Sequence, residues 1–228
     1  MGAIDFVRFP ERRAAWGGAF NGQTARVDLF RSLMEFLSPV AIIETGTYLG
    51  TTTEFLAEFG LPVLTVEGHP RHYGFAKTRL RRRRNVVVHY GDSRTVLRRV
   101  LDEGLRPLAN QRLIFYLDAH WNADLPLAEE LDIIFGRCSA AVVLIDDFQV
   151  QNDDGYGYDN YGPGKVLCSD YIAPIVAKHK VSVFYPATHS LKESGARRGC
   201  VVLARGNQQG KILASLPLLR SGEIGFAR

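Results

Sequence analysis

Short apolar runs alternate with helical stripes along this chain. Behind Thr24, a helix N-cap by its position, Val27, Phe30, Met34 and Leu37 recur at the spacing of one helix face, and Ser38-Pro39 stops the pattern. Five short apolar or β-branched runs follow, at Val40–Glu44, Val63–Glu67, Asn85–Tyr90, Leu113–Asp118 and Ala140–Asp146. Helical patterns follow each of the first four, over Glu54–Phe59, from Pro70, after Ser93 and over Pro126–Phe135. Near-continuous apolar strands separated by helices predict a parallel sheet buried on both faces. The rhythm breaks over 149–165, a Gly-, Asp-, Asn- and Tyr-rich stretch whose length predicts a lid loop. A helix over 166–178, distorted at Pro174, and two closing strands, Val181–Tyr185 and Cys200–Ala204, complete the pattern. The two closing strands are expected to pair antiparallel. Residues 1–20 read as an irregular arm and 206–228 as a tail, with a short helix over Lys211–Leu219 ended by Pro217. No repeat or second core interrupts the chain, so 1–228 is expected to be one domain.

In sheets of this kind ligands bind outside the C-terminal ends of the strands. The residues placed there are Glu44, Glu67, Asp92, Asp118, Asp146 and Asp147, six acids on one edge. The first strand also runs into Gly46 and Gly50, where the lack of a Cβ lets backbone approach a ligand or eases the turn into a helix. Dinucleotide-binding turns carry G-x-G-x-x-G, whereas this turn has G-x-x-x-G and an acid, Glu44, before it. A carboxylate at that point repels a phosphate and suits a cationic cofactor. S-adenosylmethionine (SAM), with its sulfonium and amino groups, meets that requirement. An ordinary strand-to-helix turn also accounts for the glycine pair taken alone.

Bulk composition narrows the classes. The 228 residues are 46% hydrophobic and 23% charged, in keeping with a single well-buried core. No apolar run approaches the ~20 residues of a membrane span, so a membrane is not expected as a partner. Met1–Arg13 has an Asp, a Glu, three arginines and no apolar centre, unlike a secretory signal. Cys138, Cys168 and Cys200 lie far apart without metal-ligand spacing and read as reduced thiols, which predicts a cytoplasmic location. The net charge of +4 owes much to Arg79 and Arg81–Arg84. That run ends a helical pattern, where cations are favoured by the helix dipole; holding nucleic acid is the alternative, which no interleaved aromatics support, and nucleic acid is not an expected partner.

By its motifs the chain resembles class I SAM-dependent methyltransferases, and more narrowly the metal-dependent O-methyltransferases of the catechol and sugar natural-product type. The resemblance spans roughly residues 21–203. Glu44-Thr45-Gly46-Thr47-Tyr48-Leu49-Gly50-Thr51-Thr52 is similar to that family's E-x-G-x-Y-x-G-x-S, with Thr52 in place of the serine. Thr65-Val66-Glu67 resembles the strand whose acid takes the ribose hydroxyls, and Gly91-Asp92-Ser93 the turn beside adenine. Leu117-Asp118-Ala119-His120-Trp121 and Ile145-Asp146-Asp147 resemble the two metal-binding stretches.

The resemblance implies a Rossmann-like sheet of seven mostly parallel strands with helices on both faces and the last strand antiparallel. It implies a cofactor site of Glu44, Gly46, Tyr48, Gly50, Thr52, Glu67, Asp92, Ser93 and Asp118. It implies magnesium on Asp118, Asp146 and Asp147, since three converging carboxylates repel one another without a cation between them. The implied reaction is methylation of a hydroxyl on a small molecule, a sugar, natural product or phenol. The family's lysine after the fourth-strand acid is missing; Asn122 lies near that position, which leaves His120 or Asp118 to take the proton. A homodimer is compatible with this reading. Metal-free transfer to nitrogen or RNA, or a non-catalytic protein of the same fold, are the alternatives.

Overall fold

The computed structural model describes residues 1–120 and 124–222. Trp121, Asn122 and the end of the tail from residue 223 lie outside the described residues, so the readings placed on them have no structural counterpart here.

Eight strands form one sheet: β1 (Ala41–Thr45), β2 (Val63–Glu67), β3 (Val86–Tyr90), β4 (Leu113–Leu117), β5 (Ala141–Asp146), β6 (Ser182–Pro186), β7 (Cys200–Ala204) and β8 (Leu219–Ser221). Their spatial order is β3-β2-β1-β4-β5-β7-β6-β8. The first five strands are mutually parallel, and β7 pairs antiparallel with both β5 and β6. The expected seven strands become eight because β8 adds an antiparallel edge on β6. The helix placed over Lys211–Leu219 is instead Asn207–Ala214; the chain past Pro217 pairs with β6 as β8.

Eight α-helices accompany the sheet among the described residues: α1 (Gly2–Arg8), α2 (Thr24–Leu37), α3 (Thr51–Leu56), α4 (Pro70–Leu80), α5 (Ser93–Arg99), α6 (Leu127–Arg137), α7 (Ser169–His179) and α8 (Asn207–Ala214). Thr24 is the first helical residue of α2, and Gln23 holds the cap position without a side-chain bond. Part of the stretch expected to be irregular is α1. It rests on α4: Phe6 meets Phe75 edge-on at 5.2 Å, Asp5 pairs with Arg71, and a Cβ on Gly2 would stand 2.0 Å from the Arg71 carbonyl oxygen.

The pleat sorts side chains into two layers. Ile42, Ile114, Tyr116, Val142 and Leu144 pack with α2 and α8 residues such as Phe30, Leu33 and Leu213. Ile43, Phe115, Leu117, Val143 and Ile145 pack on the other side with Leu97, Leu131 and Ile134 of α5 and α6. Register aligns the C-terminal strand ends: Thr45 is opposite Leu117, and Leu117 opposite Ile145. Gly46, Asp118 and Asp146-Asp147 therefore leave the sheet side by side.

Candidate active site

The turn after β1 contains three left-handed residues, Gly46 (φ 86°), Tyr48 (φ 48°) and Gly50 (φ 76°). Gly46 is obligatory for a reason the sequence did not suggest. A Cβ there would stand 2.2 Å from the Asp118 carbonyl oxygen, so this glycine allows β1 and β4 to meet as they leave the sheet. Gly50 turns the chain into α3 against Leu80. Around this turn opens a cavity of about 440 Å³, bordered by Gly46, Thr47, Tyr48 and Thr52 on one side and by Asp118, His120, Asp147, Asp159, Tyr161 and Arg198 on the other. Trp16, Gly18 and Asn21 of the N-terminal segment form part of its wall.

Asp118, His120 and Asp147 come together there, each offering a ligand atom within 4.8 Å of the other two. His120 Nε2 lies 3.9 Å from Asp118 Oδ1, and neither ring nitrogen of this buried histidine has a hydrogen-bond partner. Burial holds its imidazole below the ordinary value, against the opposing pull of Asp147 and Asp159. A neutral ring with a free lone pair facing a cavity is suited to accept a proton or a cation. Partial burial pushes up the Asp118 carboxyl, a third of which is exposed to the cavity, and repulsion from Asp147 and Glu44 adds to it.

The structure does not bring Asp146 to this cluster. It shares the pleat direction of Leu144 and Tyr116, so its carboxylate enters the α2 layer, fully buried, and accepts from Arg26, the Tyr116 hydroxyl and the Asp147 backbone N–H. Asp147 adopts φ 53° and faces the cavity. His120 stands where Asp146 was expected.

The expected cofactor residues divide likewise. Glu44 is buried under α3, accepting from Thr53 and, at 2.6 Å, from Thr65, and burial pushes its carboxyl to about 7. It supports the turn from below instead of facing a ligand. Glu67, almost buried, accepts from the backbone N–H of Tyr48 and of His69, each at 2.7 Å, and thereby ties β2 to the turn; each oxygen retains a lone pair. Asp92 caps α5 through the N–H groups of Arg94 and Thr95, and its pair with Arg94 holds its carboxyl low. Ser93 is buried beside Glu130, whose carboxylate has no partner at hydrogen-bond geometry and is pushed to about 7 by burial, tempered by the nearby hydroxyls of Ser93 and Thr45. Thr52 faces the cavity while its Oγ1 accepts from Phe20 N–H at 3.2 Å.

Two side chains at the site went unnoticed in the sequence. Arg198, in the connection before β7, donates through Nε to Asp147 at 2.5 Å and through a terminal nitrogen to Asp159. Asp159 also accepts from the Tyr161 hydroxyl, which reaches the His120 carbonyl oxygen at 2.8 Å. Backbone bonds fasten this part of the 149–165 stretch: Asp159 N–H donates to Asp147, and Gly157 N–H to Arg197.

No protein-family model matches the chain, and no curated protein resembles it significantly in sequence. Its architecture is nonetheless shared. An O-methyltransferase from Bacillus cereus, solved with SAH, superposes with TM-score 0.57 at 16% identity over 90% of each chain. CalS10 from Micromonospora echinaspora, an amino pentose methyltransferase of calicheamicin biosynthesis solved with SAM, superposes at 0.55 and 14% identity over 89% of this chain and 97% of its own. The chain shares the fold of these two methyltransferases. In that fold the cavity described above lies at the C-terminal strand edge, where open parallel sheets bind their ligands. Among the described residues no helix is long and apolar enough to cross a membrane.

Proposed function

We propose that the protein is a SAM-dependent O-methyltransferase acting on a hydroxyl of a small molecule. One observation carries the reading: a single cavity sets the β1 turn against two carboxylates and a buried, unpartnered imidazole. SAM supplies an electrophilic methyl group on a sulfonium. Gly46, Thr47 and Thr52 line the wall that would receive its methionine end. Glu67 does not itself border that cavity; it is tied to the turn through the Tyr48 N–H, and its remaining lone pairs would take the ribose hydroxyls beside it. Asp147 supplies negative charge near the sulfonium, and a cation there favours the ionised form of Asp118.

The donor set also fits a divalent ion, because His120 is an otherwise unexplained buried donor between two carboxylates. Asp118, His120 and Asp147 would hold it. Two carboxylates suit magnesium, and the imidazole extends the choice to manganese and its neighbours. Such an ion supplies Lewis acidity that lowers the pKa of an acceptor hydroxyl. His120, a neutral imidazole at the cavity wall, takes the acceptor proton when no ion is present. Asp159, Asn21 and the ring of Tyr161 offer hydrogen bonds and a flat face to a sugar, natural product or phenol, and the fold neighbour that methylates an amino pentose is in keeping with a sugar acceptor. The 149–165 stretch borders this acceptor side as a lid.

Isothermal titration with S-adenosylhomocysteine tests the cofactor. Binding is expected for the wild type and is weakened at least about tenfold in Glu67→Ala, the loss of a charge-assisted bidentate contact. Absence of binding, with NADH quenching the intrinsic fluorescence in its place, would overturn the assignment.

A further inference from the structure

We propose that Arg198 is a built-in cation of the acid cluster, which competes with a divalent ion for Asp147 and so sets how tightly the site holds that ion. The inference rests on the metal reading of Asp118, His120 and Asp147 given above, and concerns how loading of that site is controlled.

The geometry is specific. Among the described residues, Asp147 is the one member of the trio paired with an arginine or lysine; no such pair reaches Asp118. The Arg198 contact is made by Nε to Asp147 Oδ1 at 2.5 Å, a short charge-assisted bond that occupies lone-pair density a metal would need. A guanidinium and a divalent ion on the same carboxylate also repel each other, strongly so in a half-buried site. His120 meanwhile offers two unpartnered nitrogens in a buried position at the cavity wall, which marks the trio as a place made for a ligand.

Arg198 also has somewhere to go. Its second donor already rests on Asp159, which does not belong to the trio. Its backbone is fixed, because its N–H donates to Gln23 Oε1 at 2.8 Å and its carbonyl oxygen accepts from Gln23 Nε2 at 2.9 Å. Releasing Asp147 therefore requires only a side-chain movement toward Asp159. Tyr161 links Asp159 to the His120 carbonyl, so the receiving carboxylate is coupled to the same cluster. In this arrangement Arg198 neutralises the trio from within, and an ion would load by displacing Arg198 onto Asp159.

The test uses the full-length protein and Mn²⁺ alone, with free ion counted by electron paramagnetic resonance. Arg198→Gln removes the charge and is expected to tighten Mn²⁺ binding at least about tenfold, the scale set by deleting one nearby charge in a partly buried site. Arg198→Lys keeps the charge and is expected to stay within about threefold of the wild type, which a purely structural role for the side chain does not predict. Equal affinity in all three proteins overturns the role of Arg198 and leaves the metal reading standing. Absence of Mn²⁺ binding in all three overturns the metal reading itself. Should Arg198→Gln not fold, the wild type decides. The arginine Nε–H resonance of Arg198, assigned by its loss in Arg198→Lys, is expected to shift and exchange faster as Mg²⁺ saturates the protein. A resonance unmoved by saturating ion overturns the proposal.

Discussion

Asp146 and Asp147 are neighbours in the chain and opposites in the structure. Asp146 ends β5 on the α2 side of the sheet, fully buried, with Arg26, Tyr116 and a backbone N–H filling its hydrogen bonds. Asp147 turns the other way at φ 53°, reaches the cavity, and shares its carboxylate between Arg198 and the open cluster of Asp118 and His120. One residue of register thus separates a carboxylate whose partners are complete from one with capacity left for a ligand. Buried charges persist when paired and hydrogen-bonded, and sites of chemistry are made where that pairing is left incomplete.

The sharpest way to break the contrast is to unpair each acid in turn. Asp146→Asn leaves Arg26 buried without its counter-ion and is expected to cost about 3–5 kcal/mol of stability. Asp147→Asn touches a partly buried pair whose arginine keeps Asp159 as a second partner, and is expected to cost less, about 1 kcal/mol. Urea denaturation of both variants measures the difference; equal losses would erase the distinction drawn here.

Activity should invert that order. Asp118→Asn, His120→Gln and Asp147→Asn are each expected to lower methyl transfer about 10²–10³-fold, the scale for removing a proton acceptor or a charge at the reacting centre. The readout is S-adenosylhomocysteine release across a panel of sugar and phenol acceptors. A conservative change at Asp146 that preserves folding, Asp146→Glu, should spare most of the rate.

A smaller effect distinguishes supporting acids from site acids. Glu44, held at about 7 by burial, keeps its proton in the folded state while the unfolded chain releases it near 4.5. The folded state then binds more protons than the unfolded state between those values, so stability falls as pH rises from about 4.5 to 7 and is level beyond. Glu44→Gln removes that slope and is expected to stabilise the protein at pH 8 by up to roughly 3 kcal/mol. Melting temperatures of both proteins across pH 4.5–8 check the sign; parallel curves would show that Glu44 ionises freely when folded.

The smallest effect is expected at the arginine run. Arg79 is committed to structure, donating to Glu54 and to Thr51 and so joining α4 to α3, while Arg81, Arg82 and Arg84 are exposed. Neutralising those three should change stability by less than about 0.5 kcal/mol and leave cofactor binding alone. Salt-sensitive RNA binding lost on that change, in a gel-shift assay, would instead revive the nucleic-acid alternative.

Much of this was legible in the chain, and the gaps have physical causes. The five apolar runs announced the parallel sheet, and two of the six acids at the strand ends, Asp118 and Asp147, border the cavity at that edge. What strand ends do not announce is the direction of each side chain. Alternation along Val142-Val143-Leu144-Ile145 places Asp146 with Leu144 on the α2 face, and the same count along Ile42-Ile43 sends Glu44 beneath α3. That period-2 signal was present and would have separated Asp146 from Asp147. Arg198 left no comparable mark, since its place depends on β7 returning beside β5, a contact distant in sequence. Helix α1 was hidden because seven residues with little intrinsic helicity fold only against α4. Strand β8, three residues past a proline, carries too short a pattern to read.

The central claim is that the cavity between the β1 turn and the Asp118–His120–Asp147 trio receives both cofactor and ion. A crystal grown with S-adenosylhomocysteine and Mn²⁺, with anomalous data collected, tests it most directly. The account predicts the sulfur atom beside Gly46 and Thr52, the ribose on Glu67, and an anomalous peak among Asp118, His120 and Asp147. Nucleoside density away from the β1 turn, or an anomalous peak outside that trio, would contradict it.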